Sequence, residues 1–260
     1  MTLNEATQKG PTLVTVPCFS GAPWALETLT PLHGRPVRTM RLPEGLADVE
    51  QYADFLAEQV SDLERYVLAG DSYGAVISLT LAVRRQRGLA GLVLSGGFAS
   101  NPLPAWKAIA ASASRFAIGP LYRQGTLRFH AFQLSSKFDA TAEVPHTQAD
   151  YRRLFVENTP QRSYTARVTS VTRFDVRDRL GAVNVPTLLI TPEDDKLVGP
   201  EAAHDMLRGI AGSREVVLPA TGHMFRFTHP TLYAQTIADF VDRDVTTSAP
   251  IPESSDPTLR

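Results

Sequence analysis

Six short, nearly continuous apolar runs punctuate this chain: Thr12–Val16, Val37–Leu42, Tyr66–Ala69, Leu89–Leu94, Pro186–Thr191 and Glu215–Leu218. Runs of that length, β-branched and without polar alternation, read as strands buried on both faces. Segments with helical spacing lie between them, at Leu46–Glu64, Tyr73–Arg87, Pro200–Ile210 and Pro230–Val241. Strand alternating with helix is the pattern of a parallel sheet covered on both sides, and right-handed crossovers make it doubly wound. The expected fold is therefore α/β: a mostly parallel sheet of about six strands with helices on both faces. The length of 260 residues and the apolar share of 43% suffice for one large core. With 20% charged residues and no periodic Gly or Pro block, collagen, coiled coil and wholesale disorder are excluded.

One interval breaks the alternation. From Asn101 to about Gly181 no strong strand occurs, but helix-like stretches do, such as Leu103–Phe116, Tyr122–Lys137 and Gln148–Glu157. A structureless loop of that length is improbable in a compact domain, so a helical insertion is expected over 101–180. The core is then 11–100 together with 181–243. Between Asn101 and Leu180 there are 12 Lys plus Arg against 6 Asp plus Glu, a net of +6, which leaves −7 for the remainder. These charges read either as solvated helix faces or as a surface that attracts an anionic substrate or carrier. The stretch 246–260, rich in Ser, Thr and Pro, has little to bury and is expected to be disordered.

The strand Arg65-Tyr66-Val67-Leu68-Ala69 runs into Gly70-Asp71-Ser72-Tyr73-Gly74, and an apolar helix starts at once with Ala75-Val76-Ile77. This is Gly-x-Ser-x-Gly between a strand and a helix, the context that turns a common pentapeptide into a nucleophile turn. A reversal this tight strains its central residue, and the glycines supply neighbours with no side chain to collide. Ser72 is lifted to the positive end of the following helix. A serine hydroxyl needs a base, and that base needs a third group to orient it. Acids gather after the fifth run, in Pro192-Glu193-Asp194-Asp195-Lys196-Leu197-Val198, at the strand end where parallel sheets carry ligands. A histidine, His223, follows the sixth run in Ala220-Thr221-Gly222-His223. The chain order is Ser, acid, His.

With these residues in place the chain resembles the α/β-hydrolase superfamily over Thr12–Val241. The resemblance implies Ser72 as nucleophile, Asp195 as the acid and His223 as the base, with Asp194 the alternative acid. The family's acid motif is similar to Gly-x-x-Asp-x-x-Val-Pro, and here Pro192 and Gly199 stand at its two ends. Leu94-Ser95-Gly96-Gly97-Phe98-Ala99 offers no carboxylate for the other acid position used in some relatives. The resemblance also places His229, before Pro230, at a helix start. Of the other histidines, His33 lies near a turn, His130 and His146 in the insertion and His204 on a helix face. Two backbone N–H groups are implied as the oxyanion hole, those of Tyr73 and of Phe19 in Val16-Pro17-Cys18-Phe19-Ser20-Gly21. Pro17-Cys18 replaces the customary His-Gly there, and Cys18 reads as a packed small residue.

The activity expected is hydrolysis of a carboxylic ester through an acyl-enzyme, with a small-molecule ester as substrate and neither metal nor organic cofactor required. Hydrolysis of C–C bonds, lactones or thioesters on the same residues is the alternative, and a non-catalytic ligand receptor is a third reading. Trp24, Trp106, Phe129, Phe132 and Met224 are candidate pocket residues. Phe116, Tyr122 and Phe138 of the insertion could line the same pocket, although aromatics at such spacing more often form the insertion's own core. The basic insertion suggests an acidic acyl-carrier protein as a possible partner. A net charge of −1 lacks the electrostatic footprint of a nucleic-acid binder. Neither a signal-peptide pattern in Met1–Gly10 nor a membrane span is read, and the single cysteine, Cys18, fits a reducing compartment, so a cytoplasmic location is expected.

Overall fold

A computed structural model describes residues 10–199 and 201–246. Its six strands are β1 (Thr12–Val16), β2 (Val37–Thr39), β3 (Tyr66–Asp71), β4 (Leu89–Ser95), β5 (Thr187–Asp194) and β6 (Arg214–Gly222). They form one sheet in the order β2-β1-β3-β4-β5-β6, and every pairing is parallel. The helices are α1 (Val49–Gln59), α2 (Tyr73–Ala82), α3 (Ala105–Ala113), α4 (Leu127–Leu134), α5 (Gln148–Asn158), α6 (Gln161–Arg173), α7 (Glu201–Gly209), α8 (Phe225–Thr228) and α9 (Pro230–Phe240).

In β1, β3, β4 and the first half of β5 the near-continuous apolar runs follow from burial of both sheet faces, whereas the edge strands β2 and β6, also expected to be buried on both faces, are partly exposed because each has a neighbour on one side only. Leu68, Leu92 and Leu94 pack on one side with Tyr52 and Leu56 of α1 and Met206 of α7. Val67, Ala69, Val93 and Ile190 pack on the other with Tyr233, Ile237 and Phe240 of α9. All ten residues of α2 are buried, which its uniformly apolar sequence requires.

The structure moves several expected boundaries. Strand β2 stops at Thr39 because the chain turns away, and the Leu42 N–H goes to the Gly21 carbonyl at 3.1 Å. Strand β6 extends to Gly222, carried by pairing with Asp194 across a register shift. Helix α1 starts behind Asp48, whose carboxylate accepts the Gln51 N–H at 2.9 Å, and ends at Gln59. Helix α6 was not among the stretches expected from periodicity: its polar surface hides a buried face of Ser163, Tyr164, Arg167, Val168 and Val171.

Helices α3–α6 all belong to the connection between β4 and β5. Its two ends meet where Asn101 N–H bonds the Phe174 carbonyl and Val176 N–H bonds the Ala99 carbonyl. Among the described residues no helix is long and apolar enough to cross a membrane. Of the tail expected to be disordered from 246, residues 247–260 lie outside the described residues, as do residues 1–9 of the N-terminal stretch.

Candidate active site

The sheet delivers the predicted residues to one edge, because Ser72, Asp195 and His223 each directly follow the C-terminal end of a strand, β3, β5 and β6. At the first of these, Ser72 has φ 54° and ψ −112°, a left-handed φ that a non-glycine residue adopts only where its surroundings enforce it. Those surroundings are tight. A Cβ on Gly70 would overlap the Gly74 carbonyl and stand 2.5 Å from Ala75 Cα, and one on Gly74 would overlap the Val16 carbonyl and stand 2.6 Å from that of Pro17. The Ser72 N–H is fixed on the Ser95 carbonyl at 2.7 Å.

His223 Nε2 lies 2.9 Å from Ser72 Oγ, and His223 Nδ1 lies 2.7 Å from Asp195 Oδ2. The second carboxylate oxygen, Oδ1, accepts the N–H groups of Leu197 at 2.9 Å and Val198 at 3.0 Å. Burial would push the Asp195 carboxyl up, but the charge and hydrogen bond of His223 and these two N–H groups outweigh it and hold the pKa below the usual value. Burial would likewise depress His223, yet the charge and hydrogen bond of Asp195, helped by the charge of Asp71, raise its pKa. Asp194, the alternative acid, is turned away from the histidine and accepts Ser136 Oγ at 2.9 Å.

Below this line lies an ion pair that sequence reasoning did not find. Arg226 Nε donates to Asp71 Oδ2 at 2.6 Å with both side chains 5% exposed. Asp71 is the residue preceding Ser72, and Arg226 follows His223 by three; their partnership across 155 residues leaves no local signal. Trp24, expected in the pocket, belongs to this layer instead. It lies 5.4 Å from the Tyr233 ring with the Arg226 guanidinium 5.1 Å from its centroid, in the core on the α9 side of the sheet.

Over the Ser72 hydroxyl a cavity of about 410 Å³ opens between the sheet edge and the β4–β5 connection. Of the candidate pocket residues, Phe129 and Met224 line it. Trp106 and Phe132 do not: they are 59% and 58% exposed and face outward. Helix geometry gives the reason for Phe132, since Phe129, His130, Gln133 and Leu134 share the cavity face of α4 and Phe132 falls off it. His130, unremarkable in the sequence, is a lining residue whose Nδ1 sits 3.1 Å from Tyr164 Oη. Burial, with a smaller contribution from His223, pushes its pKa down to about 3, so it is neutral at physiological pH.

Phe19 sits in the turn after β1, where the Gly21 N–H bonds the Cys18 carbonyl at 2.9 Å. Its ring meets that of Tyr73 edge-on at 5.6 Å. Tyr73 is the first residue of α2, so its N–H has no intrahelical acceptor. Cys18 is buried beside Ser20 Oγ at 3.3 Å, and burial raises its thiol pKa, the opposite of what a nucleophilic thiolate needs. Among the described residues no three His, Cys, Asp or Glu side chains are grouped to hold a metal.

The sequence model of the alpha/beta hydrolase family matches residues 9–236. The chain belongs to that family. This α/β hydrolase is 24% identical to a proline iminopeptidase of Thermoplasma volcanium over 210 residues, 74% of its own length and 70% of the relative's. It is 28% identical over 202 residues to a pimeloyl-[acyl-carrier protein] methyl ester esterase of Neisseria meningitidis serogroup C, covering 75% of this chain and 76% of the other. In structure it resembles the enol-lactonase from Burkholderia xenovorans LB400, with a TM-score of 0.76, 18% identity and coverage of 92% and 94%. The three names refer to three different kinds of substrate, so the family and fold do not choose the substrate.

Proposed function

We propose that this α/β hydrolase cleaves carboxylic esters with Ser72 as nucleophile, His223 as general base and acid, and Asp195 as the group that orients the imidazole. The observation that carries this reading is the continuous line Ser72 Oγ–His223 Nε2–His223 Nδ1–Asp195 at the floor of a mostly apolar cavity. His223 Nε2 takes the Ser72 proton as Oγ attacks the ester carbonyl. The N–H groups of Phe19 and Tyr73 receive the developing oxyanion. Collapse breaks the ester bond, His223 gives its proton to the leaving alkoxide, and an acyl-enzyme remains. Water deprotonated by the same nitrogen attacks the acyl carbon, and the acid leaves with Ser72 reprotonated. Asp195 stabilises the imidazolium at each stage. Residues 101–180 act as a cap over a core of 11–100 and 181–243, and the acyl group occupies the cavity between them.

The lining favours an ester over an aminoacyl peptide. Its one carboxylate among the described residues is Asp71, which is already paired with Arg226, so no counter-charge awaits a substrate ammonium. The opposite charge is welcome: Asn101–Lys137 contains five Lys or Arg and no Asp or Glu, and Lys107 reaches the cavity. This supports an acyl group delivered on an anionic carrier, such as an acidic acyl-carrier protein, as does the name of the Neisseria relative. Hydrolysis of p-nitrophenyl esters from acetate to laurate, beside lactone, thioester and dienoate substrates and with Ser72→Ala as control, tests the proposal. Ester turnover abolished in Ser72→Ala is expected. Turnover restricted to another bond class would overturn it.

A further inference from the structure

Helix α6 carries an arginine, Arg167, that is 1% exposed and pairs with no carboxylate among the described residues. Buried cations are expensive unless their donors are used, and here they are used on the turn after β1 and on a tyrosine of α1. Arg167 Nη1 donates to the Phe19 carbonyl at 2.7 Å, and Nε donates to Tyr52 Oη at 3.1 Å. Gly21 makes room for it: its φ of +77° is left-handed, and a Cβ there would stand 3.0 Å from both terminal nitrogens. Thr159, buried just before α6, donates its hydroxyl to the Ser20 carbonyl at 3.0 Å. The consecutive carbonyls of Phe19 and Ser20 are thus both held from the β4–β5 connection, and the Gly21 N–H closes the turn on Cys18. Three fixed points leave the Phe19–Ser20 segment little freedom, which fixes the direction of the Phe19 N–H. The same helix reaches the second donor residue. Ser170 Oγ gives its proton to the Arg167 carbonyl at 2.8 Å and receives the Tyr73 hydroxyl at 2.8 Å.

We propose that Arg167 is a positioning residue, which with Thr159 clamps the turn at Phe19 and thereby aims one of the two N–H donors of the oxyanion hole. The proposal rests on the reading of Phe19 and Tyr73 as those donors. It makes the cap a part of the catalytic geometry as well as a wall of the pocket. A donor displaced by about 1 Å loses much of its effect on a developing charge, while ground-state binding in an apolar cavity is scarcely touched.

The test compares the parent with Arg167→Met, Arg167→Lys and Thr159→Val, each normalised to active sites by titration with a p-nitrophenyl phosphonate. Arg167→Met is expected to lower kcat roughly 10- to 100-fold with KM within about two-fold. Arg167→Lys recovers part of this, since one ammonium cannot serve both acceptors in the planar geometry of a guanidinium. Thr159→Val, nearly isosteric, loses about three- to ten-fold in the same direction and decides the matter if Arg167→Met does not fold. The readout that a merely structural role would not move is the affinity for n-butylboronic acid, a tetrahedral adduct on Ser72. It falls in step with kcat/KM, while affinity for butyrate is unchanged. Parent-like kcat and boronate affinity, within two-fold, in the folded variants would overturn the proposal. A parent that binds the boronate but cleaves no ester overturns the ester reading alone and leaves the boronate affinities to decide this one.

Discussion

Asp71→Asn should destabilise this protein more than any other single change to a carboxylate of comparable size. Arg226 and Asp71 are each 5% exposed and joined at 2.6 Å, and Arg226 lies under Trp24 and against Phe227, with its guanidinium 4.0 Å from the Phe227 ring centroid. Removing the negative partner leaves a charge with no route to water, for which the cost is about 3–5 kcal/mol. For a chain of this length the unfolding entropy is of order 0.5 kcal/mol per kelvin, so the midpoint should fall by about 6–10 °C. Thermal and urea unfolding of the purified variant measure this directly. Replacing both residues, Asp71→Leu with Arg226→Met, should cost far less than Asp71→Asn alone, because no charge then remains buried. A loss below about 1 kcal/mol in Asp71→Asn, or a double variant worse than the single, refutes the argument.

Three further outcomes follow from the site. The proposed mechanism needs neutral His223, whose pKa is raised above the usual histidine value, so kcat/KM should fall as pH drops through a midpoint above about 6.5; Asp195→Asn should lower that midpoint and reduce kcat by roughly 10⁴-fold, both read from a pH–rate profile. Phe129→Ala should shift the preferred chain length in the p-nitrophenyl series, whereas Phe132→Ala and Trp106→Ala, on outward-facing side chains, should leave it unchanged. Gly74→Ala drives a methyl into the Val16 and Pro17 carbonyls and should cost at least about 3 kcal/mol or prevent soluble expression, which unfolding curves and yield will show.

The sheet was legible because burial on both faces writes itself as uninterrupted apolar runs in its inner strands; β1 was expected at the limits where it lies, and the parallel direction followed from the alternation, whereas the spatial order β2-β1-β3-β4-β5-β6 has no signature in the spacing of the runs. The residues now grouped at the sheet edge were legible because each sits at the end of a strand that periodicity had located. What escaped detection lacks a local period. Helix α6 buries an arginine and two serines on its inner face, so its pattern looks solvated. The Asp71–Arg226 pair and the contacts of Arg167 join residues more than a hundred positions apart, and no spacing rule reaches that far. Trp24 was expected in the pocket, but its indole packs in the core on the α9 side of the sheet, and no local pattern tells which way the chain turns after Gly21. His130 could have been found from its place on one helical face with Phe129 and Gln133, had the insertion's inner side been known.

The central claim is that Ser72 carries the acyl group, and intact-mass spectrometry of the protein quenched during turnover of p-nitrophenyl butyrate tests it most directly. An adduct of one butyryl group per chain is expected, located on the peptide that contains Ser72 and absent from Ser72→Ala. An adduct on another residue, or steady turnover by Ser72→Ala at the parent's rate, would contradict it.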